Sequence, residues 1–183
     1  VSAYHPGQRE LQDRFDTRRL ADRLEQVTYH DAFTDGDRAV IEQARCFFLA
    51  TVGDDGFPDV SYKGGVPGFV RCVSERELRF PTYDGNGQFR SLGNVLVHPE
   101  VSLLFVDFEQ PGRLRLQGRA VLGDDLTVSV QVHRIWPNCP RYIHRMSLVE
   151  LSPHAPREGH EPPEAEWKQY FRDVLPGTAP TGE

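Results

Sequence analysis

Two hydrophobic periods divide the chain. Over residues 8 to 27 apolar positions recur at helical spacing: Leu11 and Phe15 stand four apart, as do Leu20 and Leu24, with Val27 following. This predicts a long N-terminal helix. A second helix is predicted from about Asp37 to Arg45, led by Thr34, Asp35 and Gly36 as cap and turn residues. The pattern then shortens to strands. Cys46 to Val52 is an apolar run of β-formers, Asp54-Asp55-Gly56 reads as a hairpin turn, and Phe57 to Lys63 as the returning strand. After the breaks at Gly64-Gly65 and Pro67-Gly68, further strands are predicted at Phe69 to Val73, Glu77 to Pro81 and Val101 to Phe108, the last stopped by Pro111-Gly112. From Arg113 to Leu122 the alternation is clean. Leu114, Leu116 and Ala120 share one face, and Arg113, Arg115, Gln117 and Arg119 share the other. Thr127 to His133 alternates too, with Val128, Val130 and Val132 on the side expected to be buried.

One helix interrupts the strands, at residues 85 to 97. Asn86 is placed to cap it and Pro99 lies just past its end. Phe89, Leu92 and Leu96 form an apolar stripe, while Asn86, Arg90 and Asn94 recur every four residues on a polar face. After Leu151 the chain is rich in Pro, Glu and His and is expected to be extended, apart from a short helix around Glu164 to Val174. There Trp167, Tyr170, Phe171 and Val174 have the spacing to dock on a body. Roughly six or seven short strands separated by Gly and Pro turns predict a small antiparallel barrel with flanking helices. The expected division is a helical extension over residues 1–33, a barrel domain over 34–150 and a tail over 151–183.

Composition narrows the class. A chain of 183 residues with 38% hydrophobic content suits one domain with extensions, and a mean hydropathy of -0.52 points to a soluble protein. The longest apolar runs are strand-sized, so no membrane span is expected. Arg9, Arg14, Arg18 and Arg19 are mixed with acids and precede no apolar stretch, which is unlike a secretory leader. Cys46, Cys72 and Cys139 are far apart and odd in number, the pattern of reduced thiols in a cytoplasm. A net charge of -6 leaves no basic footprint for nucleic acid.

Three groups of residues carry candidate chemistry. Ser61 and Lys63 are two apart on a strand and share a face, and a lysine beside a hydroxyl suits either an anion site or a solvated strand end. Arg90 near a helix N-terminus adds guanidinium donors to free backbone N–H groups, a receptor for a phosphate of roughly -2 charge. The same residues also fit an ordinary capped amphipathic helix. Arg113, Arg115 and Arg119 on one strand face need water, acids or an anion, and they suit a cofactor edge, a dimer interface or a solvated face alike. Cys139 with His133 and His144 matches no standard zinc spacing, and no metal is expected.

In order and spacing these pieces resemble the pyridoxamine 5′-phosphate oxidase-like flavoproteins. The run Phe47-Phe48-Leu49-Ala50-Thr51-Val52, then Asp55-Gly56-Phe57-Pro58, then Val60-Ser61-Tyr62-Lys63-Gly64-Gly65 looks like the opening of that family. Phe80-Pro81-Thr82-Tyr83-Asp84-Gly85-Asn86, continuing through Arg90-Ser91-Leu92-Gly93-Asn94 to His98-Pro99, is similar to its flavin phosphate segment. Arg115-Leu116-Gln117-Gly118-Arg119-Ala120 is similar to a following strand. The resemblance spans about residues 34 to 146. It implies a six-stranded antiparallel split β-barrel, a homodimer, and FMN held between subunits by a flavin-dependent oxidoreductase. Lys63 and Arg90 would hold the phosphate with Ser61, Asn86, Ser91 and Asn94. Thr82 and Tyr83 would approach the flavin, joined by Arg113 and Gln117 from the sheet. Trp136, Cys139 and Arg141 lie in a segment resembling a loop near cofactor and substrate. Related members use F420 or bind haem, so F420-dependent reduction and non-catalytic flavin or haem binding stand beside the FMN reading. A small-molecule substrate and NAD(P)H are the implied reactants. Gly87 and Gln88 stand where true pyridoxamine 5′-phosphate oxidases carry a basic pair, and the tail with Trp167 and Arg172 does not reproduce their substrate motif.

Overall fold

The computed structural model describes residues 3–83 and 85–176, and the chain divides into two units, Val1–Ser147 and Leu148–Glu183. In the first unit the N-terminal helical stretch is two helices rather than one, α1 (Pro6–Arg14) and α2 (Arg18–Thr28). The break falls at Asp16, whose φ of 52° is left-handed, a conformation that aspartate tolerates better than most residues. Neither glycine nor proline marks the spot. Arg9 reaches from α1 to Asp22 of α2 at 2.6 Å and ties the pair together.

Helix α3 (Asp35–Gln43) starts directly after Thr34, two residues before the expected Asp37, and ends two residues before Arg45. The Thr34 hydroxyl accepts from the Asp37 N–H at 3.2 Å, and the Asp37 carboxylate accepts from the Thr34 N–H at 2.8 Å. Asp37 is buried, and the same carboxylate oxygen meets the Thr34 hydroxyl at 2.6 Å and His30 Nε2 at 2.8 Å. His30 also exchanges backbone hydrogen bonds with Ile135, so this polar knot fastens the helical region to the sheet.

The sheet is wholly antiparallel: β1 (Cys46–Val52), β2 (Pro58–Gly64), β3 (Arg71–Cys72), β4 (Glu77–Phe80), β5 (Glu100–Asp107), β6 (Gly112–Leu122) and β7 (Val128–Pro137), in the order β2-β1-β5-β6-β7-β4-β3. That is one strand more than the six-stranded barrel the resemblance implies, and the strand expected at Phe69 to Val73 is cut to the two-residue β3. Helix α4 (Arg90–Val97) joins β4 to β5. The inward face carries the core. Phe47, Leu49, Leu78, Phe80, Leu103, Phe105, Leu116, Val128, Val130 and Ile135 are almost fully buried. Phe47 sits at its centre, 4.9 Å from the Phe80 ring and 5.2 Å from Phe105 between centroids. The outward face changes character along the ladder. One row runs Tyr62, Phe48, Leu104, Arg115, Trp136, and the next runs Val60, Ala50, Ser102, Gln117, Arg134. In these rows it is apolar on β2, β1 and β5 apart from Ser102, and polar or cationic on β6 and β7 apart from Trp136.

Strand β7 extends further than its alternation predicts. Gln117 pairs with Arg134 but Gly118 pairs with Val132, so His133 is the extra residue of a β-bulge. The bulge restores inward facing for Ile135 and carries the strand on to Pro137.

In the second unit the expected short helix is two 3-10 turns, Glu166–Tyr170 and Arg172–Val174. No side chain caps either turn, and Trp167 packs within the unit against Phe171 at 6.2 Å between ring centroids.

Candidate functional site

Ser61 and Lys63 pair with Leu49 and Phe47 across the β1–β2 ladder, so both side chains point to the core face. Because β2 is an edge strand, that face is only half covered there, and Asp59, Ser61 and Lys63 are half-buried while Val60 and Tyr62 are exposed. Helix α4 lies against this margin and is held by two side-chain bonds. The Ser91 hydroxyl meets that of Ser61 at 3.0 Å, and Asn94 Nδ2 donates to the Thr51 hydroxyl at 3.0 Å. Ser91 and Thr51 are buried, and Ser61 Oγ stands 3.5 Å from the Leu49 carbonyl.

The helix begins later than its sequence suggests, and Asn86 does not cap it. Asn86 Oδ1 accepts from the Gln88 N–H at 3.2 Å, making a local turn in which Gly87 takes φ 74°. The capping position falls to Phe89 in the left-handed region at φ 49°, and no side chain caps the first turn. The orphan N–H groups of that turn therefore start at Arg90 and Ser91, next to Ser61.

Among the described residues no carboxylate lies within ion-pairing distance of Lys63 or Arg90. Burial pushes the Lys63 ammonium below its usual range, and the charge of Asp59 only partly opposes this. Arg90 and Asn94 also line a cleft of about 440 Å³, together with Gly53, Asp54, Asp55, Phe57, Pro58 and Asp59. Asp54, Asp55 and Asp59 repel a phosphate from the cleft itself, and Asp59, which shares a face with Ser61 and Lys63, also offsets part of the Lys63 charge.

The remaining expected site residues lie elsewhere. The Thr82 hydroxyl donates to the Leu126 carbonyl at 2.8 Å, which anchors the β6–β7 turn. Tyr83 follows it with its phenol half-accessible and its pKa raised by burial. Arg113 and Gln117 are on the outward face of β6, across the sheet from Lys63. Trp136 stacks on Tyr29 at 5.2 Å between ring centroids, and Arg134 lies over the same tyrosine. Cys139 and Arg141 are exposed beyond β7, with the Arg141 guanidinium over the Tyr142 ring. Ser61, Lys63, Arg90, Ser91 and Asn94 are thus brought to one margin of the sheet. Thr51, the partner of Asn94, is the member that the pattern did not single out. Its only trace in the sequence is a hydroxyl at an inward position of an apolar strand.

The family model for pyridoxamine 5′-phosphate oxidase matches residues 33–154, about two thirds of the chain. The chain belongs to that family. No curated protein matches it in sequence. Among solved structures of similar fold are HupZ of Group A Streptococcus and an F420 reductase. The HupZ structure has a TM-score of 0.47 and 19% identity, covering 57% of this chain and 93% of that one. The F420 reductase has a TM-score of 0.40 and 18% identity, covering 58% of this chain and 97% of that one.

In this member of the family the thiols differ sharply in environment. Cys72 is half-buried, and burial together with the nearby Glu42 pushes its thiol up to about 12. Cys46 is also raised by burial, while Cys139 is exposed. Iodoacetamide at pH 8 is therefore expected to label Cys139 first and to reach Cys72 only on unfolding. Peptide mapping of the native protein checks this, and early alkylation of Cys72 would contradict it. Among the described residues no group of three or more His, Cys, Asp or Glu is placed to hold a metal, and no helix is long and apolar enough to cross a membrane.

Proposed function

We propose that the chain binds FMN through a phosphate seat at Ser61, Lys63, Ser91 and the first turn of α4, and acts as a flavin-dependent oxidoreductase. The observation that carries this reading is the half-buried Lys63. It has no ion-pair partner among the described residues, and it shares its face with Ser61, which meets Ser91 beneath the uncapped start of a helix. A half-buried cation whose charge Asp59 only partly offsets is costly, and a phosphate supplies further counter-charge. The donor set fits. Hydroxyl hydrogens rotate, so Ser61 and Ser91 can turn their donors from protein acceptors to phosphate oxygens. Arg90 adds charge at the rim, and the bond from Asn94 to Thr51 fixes the helix that presents these groups.

FMN supplies the electron chemistry when bound, while the protein contributes binding, orientation and local electrostatics. No side-chain general base is required for that division of labour. The outward face suits a second copy of the chain. Val60 and Tyr62 are each 63% exposed beside half-buried Phe48 and Leu104, an apolar surface for a homodimer to cover.

The visible spectrum of the freshly purified protein tests the reading. A yellow protein that releases FMN equimolar with the chain, and whose flavin is bleached by NADPH or NADH and recoloured by oxygen, is the expected result. A colourless protein that fails to take up added FMN overturns it. Uptake of F420 or haem instead would reassign the cofactor, and flavin that binds without turning over would make the chain a binding module.

A further inference from the structure

Two buried polar atoms have no hydrogen-bond partner among the described residues, Arg113 Nε and Asn138 Oδ1. They belong to neighbouring residues. Leu114 pairs with Pro137 at the end of the β6–β7 ladder, and one step further the Asn138 N–H donates to the Arg113 carbonyl at 3.4 Å. Residues opposite one another across a ladder project to the same side, so the two side chains leave the sheet on the same outward face. The segment after Asn138 then turns back to the β5–β6 connection, where the Met146 N–H donates to the Phe108 carbonyl at 2.8 Å.

The chemistry of the pair restricts its ligand. Arg113 Nε offers a charged donor and Asn138 Oδ1 an acceptor, and each is costly to bury unsatisfied. A phosphate or carboxylate presents acceptors only and would face Asn138 Oδ1 with a like dipole. An ammonium would be repelled by Arg113 and by Arg115, which follows on the same face without an ion-pair partner among the described residues. The edge that satisfies both atoms carries a carbonyl oxygen next to a ring N–H.

We infer that Arg113 and Asn138 recognise the imide edge of a planar heterocycle. The inference rests on the FMN reading, in which that edge is the flavin's pyrimidine ring. Arg113 Nε donates to the ring carbonyl and Asn138 Oδ1 accepts from the N3–H. Because Lys63 faces inward and Arg113 faces outward on the same sheet, one chain does not supply both contacts to one flavin. One copy grips the phosphate and the second reads the ring.

The test compares FMN with 3-methyl-FMN, which lacks the N3–H, by quenching of flavin fluorescence on the full chain. The wild-type protein is expected to prefer FMN about tenfold, the worth of one such hydrogen bond. Asn138→Ala, or Asn138→Ser should alanine not fold, is expected to bring the ratio near unity. Lys63→Met should weaken both ligands by the same factor and keep the ratio. Wild-type protein that binds FMN but accepts 3-methyl-FMN equally overturns the inference and leaves the phosphate seat standing. The two orphan atoms would then share an internal water. A protein that binds neither ligand overturns both.

Discussion

Gly118→Ala is expected to lower the melting temperature by about 10 °C, the largest stability loss of any single methyl group in this sheet. The position lies at the bulge where β6 and β7 change register. A Cβ built there collides with the Gln131 carbonyl oxygen and stands 2.8 Å from Val130 Cγ1 and 3.1 Å from the Gln131 carbonyl carbon. Two of these atoms are backbone, in a strand paired on both sides, and Val130 is fully buried. Relief therefore requires the strands to part. Overpacking of this kind costs about 3 kcal/mol, and a chain of this size loses roughly 2–4 °C per kcal/mol. Gly56→Ala is the control. Gly56 has φ 80° with open space around it, so alanine there pays only for the left-handed backbone, about 1 kcal/mol. Thermal melts followed by circular dichroism compare the two. Equal losses would mean that the bulge relaxes and that Gly118 serves backbone conformation alone.

The bulge also shows how far the sequence could be read. Where a strand keeps its period of two, the faces were legible: Leu114, Leu116 and Ala120 inward, Arg115 and Gln117 outward. At His133 the period slips by one residue, and a rule based on alternation ends the strand there, although β7 runs four residues further. The helix starts divide in the same way. Thr34 was legible as a cap because its partner Asp37 is three residues away. The start of α4 was not, because Asn86 forms a local turn and the left-handed residue is Phe89, a side chain that seldom adopts it. The break at Asp16 carries no Gly or Pro for the same reason.

The candidate site was legible as types and not as contacts. Ser61 and Lys63 share a face by simple geometry, and Ser91 and Asn94 belong to a recognisable motif. What brings them together are bonds between residues 30 and 43 positions apart, from Ser91 to Ser61 and from Asn94 to Thr51. No local period reports such pairs. The orphan atoms of Arg113 and Asn138 are hidden similarly, since burial on a nominally outward face depends on where the chain goes after β7. Row order across the sheet carries the functional division. The same ladder places the proposed phosphate grip inside one edge and the cationic residues outside on β6 and β7, which is why the proposed FMN site calls on a second copy to join them.

Lys63→Met is expected to separate binding from stability in opposite directions. Methionine keeps the apolar stem and removes the charge. With the charge-assisted contact gone, affinity for FMN should fall by about 10- to 100-fold, while affinity for riboflavin, which has no phosphate, should stay the same. An equal loss for both ligands would place Lys63 against the ring or outside the site. The ligand-free protein should gain stability from the same change. Burial holds the folded-state pKa of Lys63 below its usual value of 10.5, so the unfolded chain binds the proton more tightly. A lysine shifted down in this way burdens the folded state fully at neutral pH. The burden lifts as pH rises through the window between the lowered value and 10.5. Wild-type apoprotein should therefore become more stable relative to Lys63→Met across that alkaline window, and the gap between their melting temperatures should close. FMN affinity must run the other way. The phosphate needs the protonated amine, so wild-type binding should weaken as pH climbs through the same window, starting below 10.5, while the already weak binding of Lys63→Met stays level. Melting curves of both apoproteins and FMN titrations from neutral to alkaline pH supply all four profiles. Binding and stability that moved together with pH would show that Lys63 is an ordinary structural lysine.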